Sequence, residues 1–202
     1  PHECSSAASD VYKRQRLYLY TNEIQIYLLH LNLLIHPQQH FKRCLGKVTT
    51  HPDFIDVSNY IHPITLEAAQ EVASNLRPDD LREVEEGHGI DPTALPFLMS
   101  QNPSYVYFTV PDGKTAGMAG VGKEGDIWML CTPDIHRYPI TFAREAKRYV
   151  DSRTEPLLWN IVDSRNKVHL KLLKFLGFKF LRKLKHGPNN VTFIEFCRVR
   201  RR

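Results

Sequence analysis

The sequence predicts an α/β domain of the mixed α+β kind: a central sheet of about six to seven strands with helices on both faces. Two observations predict it. Short alternating or apolar runs form a meander in the middle of the chain, and strand-like and helix-like runs then alternate in the second half. Hydrophobic residues make up 42% and charged residues 24% of the 202, so a sizeable core can be buried. No G-x-G-x-x-G follows a strand, which excludes a Rossmann pattern.

The elements follow in order. VTTHPDFIDV (48–57) reads as a first strand or extended arm. ITLEAAQEVASNL reads as a helix capped by Thr65, with Leu66, Ala69, Val72, Ala73 and Leu76 on one face. RPDDLREVEEGHG is a second short helix: Pro78 suits its first turn, Asp79 and Asp80 its positive end, and Gly87 or Gly89 its stop. DPTALPFLMS is a short helical turn or loop. SYVYFTVP alternates as a strand, PDGK is a turn, and TAGMAGVG is a small-residue strand allowing close backbone approach. IWMLC is apolar throughout, as in a buried central strand. TPDIHRYP connects it to the amphipathic helix ITFAREAKRYVDSR, with Ile140, Ala143, Ala146 (or Lys147) and Val150 near one face. LLWNIV is a second buried strand. NKVHLKLLKFLGF is a helix with Val168, Leu172, Phe175 and Leu176 inward and Lys167, Lys171 and Lys174 outward. KFLRKLK and VTFIEFCRV are strands joined by the turn HGPNN.

The N-terminal part reads differently. Residues 1–15, PHECSSAASDVYKRQ, resemble a translated sequencing-adapter junction and are set aside from fold reasoning; the first methionine is Met99. Residues 16–47 form an N-terminal extension. Its apolar run is broken by Thr21, Asn22, Glu23, Gln25, His30 and Asn32, so it falls short of the ~20 apolar residues of a membrane span. His36 and His40 have helical ligand spacing, but Pro37 lies between them and no third ligand is evident, so no metal site is expected.

Charge is divided unevenly. Residues 165–202 carry twelve Lys/Arg against one acid, Glu195, while residues 1–164 carry fifteen against twenty-one. A pole of +11 thus sits on a body of −6, and such a pole attracts anions: CoA phosphates, an acidic protein, or nucleic acid through the basic C-terminal region and the tail 200–202. The four cysteines form no C-x-x-C pair, which points to reduced thiols in a cytosol-like compartment.

The element order, with NKVHLKLLKFLGF, resembles the GNAT acyltransferase fold over residues 48–199. That family carries N-x-x-A-x-x-L-Y-x-x-x-G-F on the helix after its fifth strand; Asn166, Leu172, Gly177 and Phe178 match. LREVEEGHG, IWMLCTP, YPITFAREAKR and LLWNIVDSRN look like short GNAT-like proteins of tailed phages, described as internal virion proteins or phage acyltransferases. The resemblance implies an acyl group transferred from acetyl-CoA or another acyl-CoA to an amine acceptor. It places the protein in the bacterial host cytoplasm or the virion. The alternative it carries is a non-catalytic protein that contacts other virion proteins during particle assembly.

The resemblance also implies where the chemistry sits. Acyl-CoA would lie in a V-shaped split between IWMLC and LLWNIV. Leu130, Cys131 and Thr132 would border the pantetheine, and Asn166 would open the following helix. The family's Q/R-x-x-G-x-G/A phosphate loop corresponds to HRYPIT here. Proline removes an N–H donor where glycine would let the backbone approach phosphate, so His136 and Arg137 would have to supply charge instead. The Tyr that serves as acid corresponds to Leu173, leaving His169, one turn earlier, to return a proton and Asp126 to act as base. Cys131 reads as a small buried residue, not a nucleophile. Glu83, Glu85, Glu86, His88 and Asp91 form a charged group on the acceptor side, read mainly as a solvated face.

Overall fold

A computed structural model describes residues 59–200. Residues 1–47 and the predicted strand 48–57 lie outside the described residues, as do Arg201 and Arg202. Seven strands and five α-helices are seen among the described residues. β1 (Ile61–Pro63) leads into α1 (Leu66–Ser74), α2 (Pro78–Arg82) and a π-helical turn, Glu83–His88. A 3-10 turn, Pro92–Ala94, and α3 (Leu95–Ser100) precede the meander β2 (Val106–Thr109), β3 (Thr115–Val121) and β4 (Ile127–Cys131). A second 3-10 turn, Pro133–Arg137, opens into α4 (Pro139–Ser152). β5 (Leu157–Asp163), α5 (Lys167–Phe175), β6 (Lys179–His186) and β7 (Val191–Val199) complete the order.

Local chemistry sets the boundaries. Thr65 caps α1, its hydroxyl accepting from the Ala68 N–H at 3.1 Å. Pro78 and Pro139 sit in the first turns of α2 and α4, where an N–H would have no helical partner. Gly89 ends the π-helical turn in the left-handed conformation.

The strands form two antiparallel sheets, β1-β2-β3-β4 and β5-β7-β6. A single parallel bridge, Asp126 to Trp159, joins them. There the Trp159 N–H donates to the Gly125 carbonyl at 3.0 Å. Gly125 has φ +81°, and a Cβ on it would stand 2.1 Å from the Leu157 carbonyl oxygen, so only glycine lets this turn meet β5. Beyond the bridge β4 and β5 no longer pair.

Helices cover both faces. α4 and α5 pack Tyr149, Val150, Leu173 and Leu176 against Val106, Ala119, Val162 and Phe196. On the other face α1, the π-helical turn and α3 bring Ala69, Val72, Val84 and Leu95 onto Met118.

Three helical faces differ from the periodicity expectation. Leu66 is exposed at the start of α1, and Ile140 at the start of α4 is 74% exposed. On α5 it is Leu173 and Leu176 that are buried, whereas Val168 and Phe175 are exposed. The α5 core stripe is therefore rotated by about one residue, because the helix must lie over Phe178 and Phe196 rather than centre on its most apolar arc.

Candidate active site

The site grows out of the splay between β4 and β5. Alternation along an antiparallel strand sends the backbone groups of successive residues to opposite edges. The Asp126 carbonyl accepts from the Gly122 N–H just beyond β3, and the Thr132 N–H donates to the β3 carbonyl of Ala116. The groups of Ile127, Met129 and Cys131 therefore face the split. Ile127 is used: its carbonyl accepts from Asn160 Nδ2 at 2.9 Å. Cys131 is used at both groups: its carbonyl accepts from the Arg77 N–H at 2.8 Å, and its N–H donates to Asp80 Oδ2 at 2.9 Å. Between them, the Met129 N–H and C=O point away from β3 by the same alternation, and β5 does not pair with β4 at this position.

A buried polar chain spans the mouth of the split on the α1–α2 side. Arg77 donates twice to Asp80, from Nε to Oδ2 at 3.1 Å and from Nη2 to Oδ1 at 2.6 Å. Asn166 Nδ2 donates to Asp80 Oδ1 at 3.0 Å and to Glu83 Oε2 at 3.1 Å. Asn166 Oδ1 also caps α5, accepting from the His169 N–H at 3.2 Å. All four side chains are buried, Asn166 completely. Burial raises Glu83 to about 7, against the bonds from Asn166 and the Asp163 backbone, which favour its ionised form. A carboxyl so poised can exchange a proton at neutral pH. It sits on a π-helical turn, a rare geometry that recurs at functional sites.

On the opposite side the split opens onto an apolar cavity of about 70 Å³ between α4 and α5. Met129, Phe142, Ala146, Tyr149, His169 and Leu172 are among its lining residues. Further out, Pro139, Ile140, Ala143, Arg144, Lys147 and Phe175 border an open groove of about 570 Å³. Lys147 there is paired with Asp151 at 2.8 Å, whereas Arg144 has no ion-pair partner among the described residues.

The predicted residues fall as follows. His169 lines the cavity, and burial lowers its pKa, so its imidazole is neutral at pH 7. Asp126 lies at the closed end of the split, its carboxylate against Gly122, with its pKa raised by burial. The structure does not bring these two into one cluster: Asp126 is absent from the cavity wall that contains His169. Cys131 is fully buried and its thiol is pushed well up by burial. Thr132 Oγ1 accepts from the Asp134 N–H at 3.4 Å and serves the 3-10 turn. Leu130 packs with Trp128 against the α1 face, away from the cavity. His136 is exposed. Arg137 is held by Asp112 at 2.6 Å, so its charge is already matched.

The acidic group on the acceptor side divides. Glu83 is buried, Glu86 pairs with Arg165 at 2.7 Å, and Asp91 caps a 3-10 turn through Thr93. His88 meets His186 at 3.0 Å and is lowered to about 4 by burial and by that neighbour.

Sequence reasoning missed Arg77 and Asp80. RPDD carries the signals of a helix start, and nothing local shows that Asp80 turns inward. The missed signal was Asn166, a polar residue at the start of a helix whose second amide group needs a buried partner.

Comparison with solved structures gives the same fold. A GNAT-family acetyltransferase from Bacillus anthracis superposes with a TM-score of 0.54 at 10% identity, over 69% of this chain and 93% of that one. The microcin C7 self-immunity acetyltransferase, solved with acetyl-CoA and AMP, gives 0.52 at 14% identity over 76% and 100%. Spermidine N-acetyltransferase from Vibrio cholerae, solved with CoA and spermine, gives 0.52 at 9% identity over 69% and 94%. No family model matches the sequence, and no curated protein does. The described chain therefore has the GNAT acetyltransferase fold, the mixed architecture its element order predicts. No helix among the described residues is long and apolar enough to cross a membrane.

Proposed function

We propose that this protein is an N-acyltransferase that moves an acyl group from acetyl-CoA or a related acyl-CoA to an amine. The observation that carries this reading is the open backbone edge at Met129, lying between an apolar cavity and a buried, near-neutral carboxyl. The pantetheine arm would enter between α4 and α5, and its amide would pair with Met129. The groove beside Arg144 would take the nucleotide end, with Arg144 and the start of α4 facing phosphate. Arg144 thus takes the role that the sequence assigned to Arg137.

In the reaction the amine nitrogen attacks the thioester carbonyl, a C–N bond forms, and the C–S bond breaks. The amine proton passes to Glu83, and the departing thiolate gains a proton to leave as free CoA. His169, neutral and on the cavity wall, would hydrogen-bond the sulfur through its ring N–H, and the proton that ends on the thiolate would come from Glu83 or solvent. Asp126 would hold the closed end of the split. Arg77 and Asp80 fix Asn166 and, through it, Glu83. The finer reading, a phage protein working in the host cytoplasm, rests on the sequence phrases alone.

Thiol release from acetyl-CoA, measured across a panel of primary amines and polyamines, tests the proposal. Turnover that Glu83→Gln abolishes supports it. Saturable CoA binding without turnover for any amine would support the alternative, a non-catalytic virion or assembly protein.

A further inference from the structure

Among the described residues, the cations without an ion-pair partner fall mostly in the α5–β6 segment, with Lys123, Arg144 and Arg200 elsewhere. Arg77, Arg82, Arg137, Lys147, Arg148, Arg153, Arg165, Arg182 and Arg198 each reach a carboxylate. Lys171, Lys174, Lys179 and Lys183 have no ion-pair partner among the described residues, and all are exposed. The only acid between 166 and 200 is Glu195, which is buried and bonded to Arg182 at 2.8 Å.

Geometry gathers Lys171, Lys174 and Lys183, whereas Lys179 pairs with Cys197 and lies on the opposite face of β6. β6 is the outer strand of the sheet β5-β7-β6. α5 packs on β5 and β7 through Leu173 and Leu176. One helix, ~10 Å wide, cannot cover three strands spaced ~4.8 Å apart and their flanks, so a strip of β6 stays open beside it. Phe180 and Lys183 pair with Phe196 and Ile194, which face α5, so both lie on this strip. Phe180 is 40% exposed there. Lys171 and Lys174 stand three apart on the crest of the helix. The result is a cationic helix crest beside a strip that carries one lysine and an exposed aromatic ring.

We infer that this α5–β6 face binds single-stranded nucleic acid. Unmatched lysines suit a phosphate backbone, and an exposed phenyl ring among them gives a base a surface to stack on. A charged protein surface would not need the ring, and a duplex would not present an unstacked base to it. The inference is independent of acyl transfer, because the groove assigned to the nucleotide end of acyl-CoA lies on the α4 side of α5.

The test is fluorescence anisotropy of the full chain with a labelled 20-nucleotide oligothymidine and with a labelled duplex, from 50 to 200 mM salt, with and without excess CoA. The inference predicts saturable binding of the single strand that weakens with salt, exceeds duplex binding and is unchanged by CoA. The triple variant Lys171→Glu/Lys174→Glu/Lys183→Glu should lose at least tenfold in affinity with an unchanged melting temperature, and Phe180→Ala severalfold while still folded at the assay temperature. No binding at 50 mM salt overturns the inference. So does equal affinity for duplex with no effect of Phe180→Ala, which would reduce the face to unselective charge. Should the triple variant melt early, the conservative Lys171→Gln and Lys174→Gln changes carry the same prediction at smaller size.

Discussion

Glu83 is where residue chemistry and proposed reaction meet. Its carboxyl is lifted to about 7 because burial penalises the charged form more than Asn166 and the Asp163 backbone favour it. If Glu83 is the base, activity rises with pH through about 7 as it ionises. Glu83→Gln should remove that rise and lower kcat about 100-fold or more, with donor affinity retained. A pH–rate profile together with calorimetry separates the two effects. Asp80 has a different role, since it neutralises buried Arg77 and holds the edge of β4 at Cys131. Asp80→Ala leaves a buried guanidinium without its counter-charge and should destabilise the fold by about 3–5 kcal/mol, read by urea denaturation. Loss under 1 kcal/mol would mean that the guanidinium finds another partner or water.

Among the elements, the β3–β4 turn and the β6–β7 turn do the joining. Gly125→Ala forces a Cβ onto the Leu157 carbonyl at positive φ and should cost about 2–4 kcal/mol, with loss of the parallel bridge. Gly187 plays the matching role at the other end, where a Cβ would lie 1.7 Å from the Gly87 carbonyl. Beside it, His88 holds its proton less tightly in the folded chain than its ordinary value of 6.5 would give, at about 4. Its neutral form therefore contributes stability that is complete above pH 6.5 and lost as pH falls towards 4, up to roughly 3 kcal/mol. Glu83 acts in the opposite sense: its contribution is whole below its ordinary value near 4.5 and lost as pH rises through about 7. Melting curves of His88→Phe against pH should show less acid sensitivity than the parent, and an unchanged acid limb would contradict the assignment.

These elements were largely legible in the sequence. The strands β2 to β7 follow runs whose alternation or apolarity is local, and Thr65 and Gly89 mark boundaries by their own chemistry. What was not legible is the pairing of distant residues. Asn166 finds Asp80 and Glu83 across more than eighty residues, and no local pattern encodes that meeting. The faces of α4 and α5 went wrong for a related reason. Ile140 and Phe175 border an open groove between the two helices, and an apolar residue at a groove looks in sequence like one at a core.

At the scale of the molecule, two sheets meet at one bridge and then part. The gap is closed on one side by Arg77, Asp80, Asn166 and Glu83 and left apolar on the other. That asymmetry gives the reaction its direction: a thioester would arrive from the α4–α5 side and meet a proton acceptor on the other. Calorimetric titration of acetyl-CoA into the full chain, repeated with Ala146→Phe to fill the cavity, tests it most directly. Saturable binding to the parent and none to the variant is expected, with both proteins folded by circular dichroism. Equal binding to both, or no binding to the folded parent, would contradict it.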